Sequence, residues 1–202
     1  MDLTLVIVRH GNTFAVGEPA RRIGAATDLP LVESGVAQAQ ALGVAFARQG
    51  LRFDRALAAP LLRTRATIAG ILADQPDAPR IEAADWLTEI DHGPDEGRLE
   101  QDVVARLGMA ALARWDTAAQ VPPGWVVDVD QRIEGWRTLM TTAGGCVLVV
   151  TSNGAARFAL HADPALQRDA SQLASLKLRT GAYAVIERRA GILRLAVWDR
   201  RP

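Results

Sequence analysis

Three residues that could do chemistry follow directly after the first apolar run of the chain. The stretch LVIVRHGNT begins at Leu5 as a buried strand and then continues into Arg9, His10 and Gly11. A neutral imidazole is a nucleophile near pH 7, and a guanidinium binds the oxygens of an anion. The pattern therefore predicts a strand that delivers both groups to its carboxyl end, where ligands gather in parallel α/β sheets.

Two further segments place polar groups after candidate strands. APLLRTRAT follows a predicted strand at 54–59 and puts Arg63 and Thr67 in the first turns of a helix, where backbone N–H groups favour an anion. WLTEIDHG, residues 86–93, follows a third predicted strand and carries Glu89 among apolar neighbours. Because burial disfavours a charged carboxylate, we expect a raised pKa and a protonated Glu89.

Alternating strand and helix patterns must position these groups. Continuous apolar runs rich in β-branched residues are typical of strands that are covered on both faces. The predicted strands are 3–8, 54–59, 80–84, 147–151, 183–187 and 192–198, and the predicted helices are 34–49, 61–74, 99–120 and 129–142. This order predicts one domain over 1–202, a three-layer α/β/α sandwich with a mainly parallel central sheet, closed by a hairpin that adds an antiparallel edge strand.

The composition narrows the class of function. The 202 residues include 23 basic and 23 acidic side chains with no Lys/Arg-rich block, so we expect no nucleic-acid partner. A single cysteine, Cys146, excludes an intramolecular disulfide and a Cys-x-x-Cys site. We find neither a signal-peptide pattern nor an apolar run of about 18 residues, which predicts no membrane partner and a cytoplasmic protein. The glycine patterns of serine hydrolases, P-loop proteins and Rossmann folds are also absent.

The motifs, taken in chain order, resemble those of the histidine phosphatase superfamily, the group that includes cofactor-dependent phosphoglycerate mutase. The resemblance covers nearly the whole chain. Its motifs are RHGNT at 9–13, RRIGAATDLPLVESG at 21–35, PLLRTRAT at 60–67, LTEIDHG at 87–93 and VLVVTSNGAAR at 147–157.

This resemblance implies a phosphoglycerate mutase-like fold and a role for each matching residue. It implies that His10 is the nucleophile that becomes phosphorylated, that Arg9 and Arg63 clamp the phosphate, and that Glu89 donates a proton. The residue types suit the chemistry, because two permanently charged guanidiniums can hold phosphoryl oxygens in bidentate fashion. No metal and no cofactor are required.

The substrate-binding residues are less well defined. Asn12 and Arg21 fall where the family often contacts substrate or phosphate. The family usually carries a second histidine in a Ser-His-Gly-Gly turn, but this chain reads TSNG there. Depending on the alignment, Ser152 or Asn153 takes that position, and either side chain can donate a neutral hydrogen bond. His92, three residues past Glu89, is the alternative donor.

The resemblance implies a metal-independent phosphomonoesterase that acts on a small phosphorylated metabolite through a phosphohistidine intermediate. A phosphatase is preferred to a phosphomutase, because the mutases that the chain resembles are usually longer. The alternative is a pseudophosphatase that binds a phosphorylated ligand or partner without turnover. Asp95, where many relatives have Trp, bears on the substrate pocket. The sequence names no substrate, and it leaves open whether the chain forms a homodimer.

Overall fold

The computed structural model describes residues 1–202 and contains one six-stranded sheet. The strands lie in the order β3-β2-β4-β1-β5-β6. Their bounds are Leu3–Arg9 (β1), Arg55–Ala58 (β2), Ile81–Ala83 (β3), Gly145–Thr151 (β4), Tyr183–Arg189 (β5) and Ile192–Arg200 (β6). The first four strands are parallel, so their carboxyl ends meet at one edge, and the β5–β6 hairpin adds antiparallel strands on the other side of β1.

Helices cover both faces of the sheet. Their bounds are Glu33–Arg48 (α1), Leu62–Leu72 (α2), Glu100–Leu107 (α3), Met109–Ala118 (α4), Val129–Thr142 (α5), Asn153–Ala156 (α6) and Pro164–Ala170 (α7). Along β1, Val6 and Val8 face a core cluster with α1 and α2, while Leu5 and Ile7 face a larger cluster on the opposite side. This alternation follows from the period of two along a strand, and it explains why β1 is apolar at every buried position. The predicted three-layer fold class is therefore confirmed.

The predicted helix over 99–120 is wrong in one respect, because the structure divides it into α3 and α4. Gly108 separates the two helices with a φ of +77°, in the left-handed region that glycine adopts at low cost. The apolar pattern continues across this break, so the pattern alone indicates one helix. None of the helices combines the length and the apolar character needed to cross a membrane.

Candidate active site

The carboxyl ends of β1 and β4 lie side by side and form the floor of the candidate site. Arg9 pairs with Thr151 in the parallel register, and the backbone N–H of His10 donates to the Thr151 carbonyl at 3.0 Å. His10 and Ser152 therefore leave the sheet as neighbours. His10 is only 3% exposed, so its ring is held within the protein.

The ring of His10 is held in one tautomer. Its Nδ1 lies 2.8 Å from the carbonyl oxygen of Gly11, which can only accept a hydrogen bond. Nδ1 must therefore carry the hydrogen, and Nε2 keeps a free lone pair. Burial, followed by the positive charges of Arg9 and Arg63, holds the pKa of His10 well below its usual value. His10 is thus a neutral imidazole near pH 7, the state that a nucleophile requires.

Gly11 allows the close approach of a helix. A Cβ at this position would lie 2.4 Å from the carbonyl oxygen of Gly35 in α1. Its φ is not in the left-handed region, so a special turn does not explain the glycine. The N–H of Gly11 also donates to Thr67 Oγ1 at 3.0 Å, which ties the loop after β1 to α2.

Arg9 and Arg63 keep most of their donors free. Arg9 Nη1 donates to the Leu178 carbonyl at 2.8 Å, while Nη1 and Nη2 of Arg63 donate to the carbonyls of Thr27 and Gly24 at 2.6 and 3.0 Å. The Nε of each arginine is buried and makes no hydrogen bond. Burial lowers the pKa of each arginine, but guanidinium groups stay charged in proteins. A half-buried and a fully buried cation with unused N–H donors beside a neutral imidazole form a site for an anion.

The free protein holds Glu89 as a carboxylate, so the expectation of a raised pKa is wrong. Burial alone would raise the pKa of Glu89, but His92 in its protonated form at low pH, the N–H groups of Ile90 and Gly154, and Arg63 bring it below its ordinary value. The two N–H groups donate to Oε1 and Oε2 at 2.9 and 3.2 Å. Gly154 is required here, since its Cβ would lie 2.2 Å from Oε1. The apolar neighbours visible in the sequence do not reveal these donors.

The turn after β4 presents two side chains with different surroundings. Ser152 is completely buried, and its Oγ has no hydrogen-bond partner. Asn153 Oδ1, in contrast, accepts from the N–H of Leu178 at 2.8 Å. The Ser152 hydroxyl is therefore unpaired, whereas Asn153 has its oxygen held by Leu178 and keeps its Nδ2 as the group that can donate.

Asn12 and Arg21 lie in different settings. Asn12 Oδ1 accepts from Thr180 Oγ1 at 2.5 Å, and its Nδ2 donates to Ser34 Oγ at 3.2 Å. Asn12 therefore links the loop after β1 to the loop before β5. Arg21 is exposed, and its Nη1 donates to the Gly97 carbonyl at 3.1 Å. Asn12 lies two residues after His10 in the chain, whereas Arg21 makes no hydrogen bond to another candidate site residue.

His92 packs in the wall of the site. It is 5% exposed, its ring lies edge-on to Trp125 with centroids 4.6 Å apart, and its Nδ1 lies 3.5 Å from Glu96 Oε2. Burial lowers the pKa of His92 against the attraction of Glu89 and Glu96, so the ring is neutral near pH 7. His92 does not bring a permanent positive charge to the site.

Asp95 holds the same wall together. It is 1% exposed, pairs with Arg106 of α3 through both carboxylate oxygens, and accepts from Trp125 Nε1 at 2.7 Å. Burial would raise the pKa of Asp95, but Arg106 and Trp125 lower it, so it is a carboxylate. An ion pair therefore ties the residue 93–95 turn to α3 and to the loop before α5.

Three arginines to which the sequence patterns assign no role contact the residues around the site. Arg22 lies with its guanidinium 5.1 Å from the Trp125 ring, Arg132 donates to the Thr88 and Glu89 carbonyls, and Arg157 Nε donates to the Asn153 carbonyl. Arg157 is fully buried, and burial lowers its pKa to about 10. Arg157 ends the motif at 147–157, so the sequence could have marked it as a site residue. Arg132 lies in an ordinary helical pattern, and nothing in the sequence marks it.

Comparisons with known proteins identify relatives of this chain. The chain is 34% identical to a 2,3-bisphosphoglycerate-dependent phosphoglycerate mutase from Methylobacterium sp. (strain 4-46), over 61% of this chain and 59% of the mutase. It is 27% identical to the enzyme of the same name from Azorhizobium caulinodans, over 96% of this chain and 100% of that mutase.

Solved structures share the fold. A mycobacterial glucosyl-3-phosphoglycerate phosphatase superposes with a TM-score of 0.77 at 20% identity, covering 98% of this chain and 99% of that one. The α-ribazole phosphatase from Shigella flexneri gives a TM-score of 0.71 at 20% identity, covering 98% and 96%. The model of the histidine phosphatase superfamily (branch 1) matches residues 5–200. The chain therefore belongs to the histidine phosphatase superfamily.

Proposed function

We propose that the protein is a metal-independent phosphomonoesterase that acts on a small phosphorylated metabolite through a phosphohistidine at His10. The observation that carries the proposal is a buried, neutral His10 with a free Nε2 beside two guanidiniums, the half-buried Arg9 and the buried Arg63, that have unused donors. In phosphoryl transfer, catalysis consists mostly of positioning and charge stabilisation, which these groups can supply.

In the first step, His10 Nε2 attacks phosphorus, a P–N bond forms, and the bond to the ester oxygen breaks. An alkoxide is a poor leaving group, so Glu89 must give it a proton. Glu89 is ionised in the free protein, in part because the positive charge of Arg63 lowers the pKa of Glu89. An entering phosphate dianion offsets that charge, so the pKa of Glu89 should rise when the phosphate binds. We therefore expect Glu89 to take up its proton when the phosphate binds, or from a substrate that binds as the monoanion.

In the second step, water attacks the phosphohistidine. Glu89, now a carboxylate, accepts the proton of this water, and the P–N bond breaks to return His10 to its neutral form. Inorganic phosphate then leaves, and Glu89 again holds a proton like the one that it gave to the alcohol in the first step.

Ser152 is our candidate for the donor that replaces the family's second histidine. Its Oγ is buried and unpaired, and Ser152 directly follows Thr151, which pairs with Arg9 in the sheet. Asn153 Nδ2 is the alternative donor, and His92 is neutral in the wall. A hydroxyl supplies a hydrogen bond but no charge, so we expect a slow phosphatase. In this view the chain is a divergent member of its family.

A turnover screen over phosphorylated metabolites and p-nitrophenyl phosphate tests the proposal, with the His10→Ala protein as the blank. Activity should persist in EDTA, be inhibited by vanadate and yield an acid-labile phosphoenzyme. Activity that disappears with EDTA and returns with a divalent ion would refute the mechanism. Binding of vanadate without turnover or phosphoenzyme would favour the pseudophosphatase alternative.

A phosphomutase is the second candidate, because curated relatives carry that name. Chain length does not separate the two activities, since the Azorhizobium caulinodans mutase is matched over 100% of its length by 96% of this chain. The expectation that mutases are longer therefore gives no reason to prefer a phosphatase here. Incubation with 3-phosphoglycerate and 2,3-bisphosphoglycerate, followed by analysis of 2-phosphoglycerate and free phosphate, distinguishes transfer from hydrolysis.

A further inference from the structure

The loop formed by residues 176–182, which precedes β5, contacts the candidate site at several points. The N–H of Gly181 donates to the carbonyls of Arg9 and His10, both at 3.2 Å, and Thr180 Oγ1 donates to Asn12 Oδ1. This 176–182 loop therefore forms one side of the phosphate site, although it carries none of the recognised motif residues.

Leu178 is the central point of that loop. Its side chain is fully buried in the larger core, its N–H donates to Asn153 Oδ1 at 2.8 Å, and its carbonyl accepts from Arg9 Nη1 at 2.8 Å. The backbone of Leu178 is thus held by Asn153 on one side and holds Arg9 on the other.

The Leu178 carbonyl is the one hydrogen-bond acceptor that the protein offers to the Arg9 guanidinium. Arg9 forms no ion pair, and its Nε is buried without a partner. A flexible side chain that must meet a phosphoryl oxygen in bidentate geometry gains from a fixed reference point. The position of the Leu178 carbonyl therefore decides where the remaining Arg9 donors point.

We propose that Asn153 is a positioning residue that holds Leu178, and through Leu178 the Arg9 guanidinium, in the geometry that binds the phosphoryl group. The proposal rests on the phosphate site proposed above and assigns Asn153 a role that involves no contact with substrate. Without the amide oxygen, the Leu178 N–H would lose its acceptor, and the 176–182 loop would relax at the point that Arg9 contacts.

A double-mutant cycle on Asn153→Ala and Arg9→Ala tests the relay, with calorimetric binding of orthovanadate as the readout and kcat and KM for p-nitrophenyl phosphate beside it. Asn153→Ala should raise the vanadate Kd about tenfold, the loss expected for one hydrogen bond that positions a charged group. In the Arg9→Ala background the same substitution should have almost no further effect. Gln167→Ala in α7, which removes a surface hydrogen bond to the His161 carbonyl, is the matched control and should be silent.

The outcomes separate the relay from its rivals. Equal losses in both backgrounds would overturn the relay and show that Asn153 acts on the ligand directly or through the fold. An unchanged Kd in Asn153→Ala would overturn it as well. If Asn153→Ala does not fold, Asn153→Ser enters the same cycle. A wild-type protein that neither binds vanadate nor hydrolyses p-nitrophenyl phosphate would refute the proposed function and the relay with it, whereas additive losses in an active enzyme refute the relay alone.

Discussion

The ends of β1 and β4 are neighbours in the sheet, yet they differ sharply in chemistry. β1 ends in a cation and a buried imidazole, Arg9 and His10, whereas β4 ends in an unpaired hydroxyl, Ser152, followed by backbone N–H groups. The β4 end contributes through the Gly154 N–H, which holds Glu89, and through neutral side chains. Under the proposed function, the β1 end would carry the reactive groups, while the β4 end would position groups and supply neutral donors.

The largest expected effect concerns the β1 end. His10→Ala should reduce turnover of every phosphomonoester to the background rate, because no other residue in the site offers a free imidazole lone pair beside two guanidiniums. Steady-state rates with p-nitrophenyl phosphate and a circular dichroism spectrum measure activity and fold together. A folded His10→Ala protein that keeps measurable turnover would remove His10 from the nucleophile role and weaken the contrast between the two strand ends.

The second effect concerns Glu89, which the β4 end holds in place. Glu89→Gln should reduce kcat/KM for alkyl phosphates by about 10²–10⁴-fold, since general acid catalysis matters when the leaving group is poor. The loss should be much smaller for p-nitrophenyl phosphate, whose leaving group hardly needs a proton. Parallel assays of both substrates make the comparison. Equal losses on the two substrates would show that Glu89 is not the acid.

The third effect tests how much the neutral β4 end contributes. Ser152→Ala should lower kcat by up to about 10²-fold, because a preorganised donor to a transition-state oxygen is worth about 10²–10³ in rate. Ser152→His should raise kcat by restoring a donor that can carry charge. Ser171→Ala, on the exposed end of α7, is the control. If Ser152→Ala keeps full kcat and His92→Ala abolishes it, the donor lies in the wall and not in the turn after β4.

The smallest effect concerns stability. The pKa values of His10, His92 and His161 are all lowered in the folded protein, mainly by burial. Below the ordinary histidine pKa the unfolded chain therefore binds more protons than the folded one, and the free energy of unfolding should fall as pH decreases from about 6.5.

Urea unfolding between pH 8 and pH 5 measures how the free energy of unfolding depends on pH. Variants at the ends of β1 and β4 show which end contributes. His10→Gln should weaken the loss of stability on acidification, since the β1 end then has no histidine to protonate. Ser152→Ala should leave the dependence unchanged, because a hydroxyl at the β4 end does not titrate in this range. Stability that stays constant or rises towards pH 5 would contradict the direction of these pKa shifts.

The local sequence pattern was sufficient to predict the strands, the terminal hairpin and the family, because each depends on residues that are close together in the chain. The apolar run before Arg9 predicted β1, the motif order predicted the family, and the terminal pair of runs predicted the β5–β6 hairpin. The division of 99–120 at Gly108 was missed, since a glycine inside an apolar helical pattern is often tolerated.

The sequence by itself thus determined the alternation of strands and helices and the residue types that meet at the carboxyl edge of the sheet. Tertiary structure decided their surroundings: the Gly154 N–H that helps to keep Glu89 a carboxylate comes from 65 residues away, and the carbonyl that Arg9 donates to belongs to Leu178, 169 residues away. The physical reason is that hydrophobic periodicity is a local property of the chain, whereas the pKa and the orientation of a buried polar group depend on which distant donors, acceptors and charges the fold brings within hydrogen-bond distance.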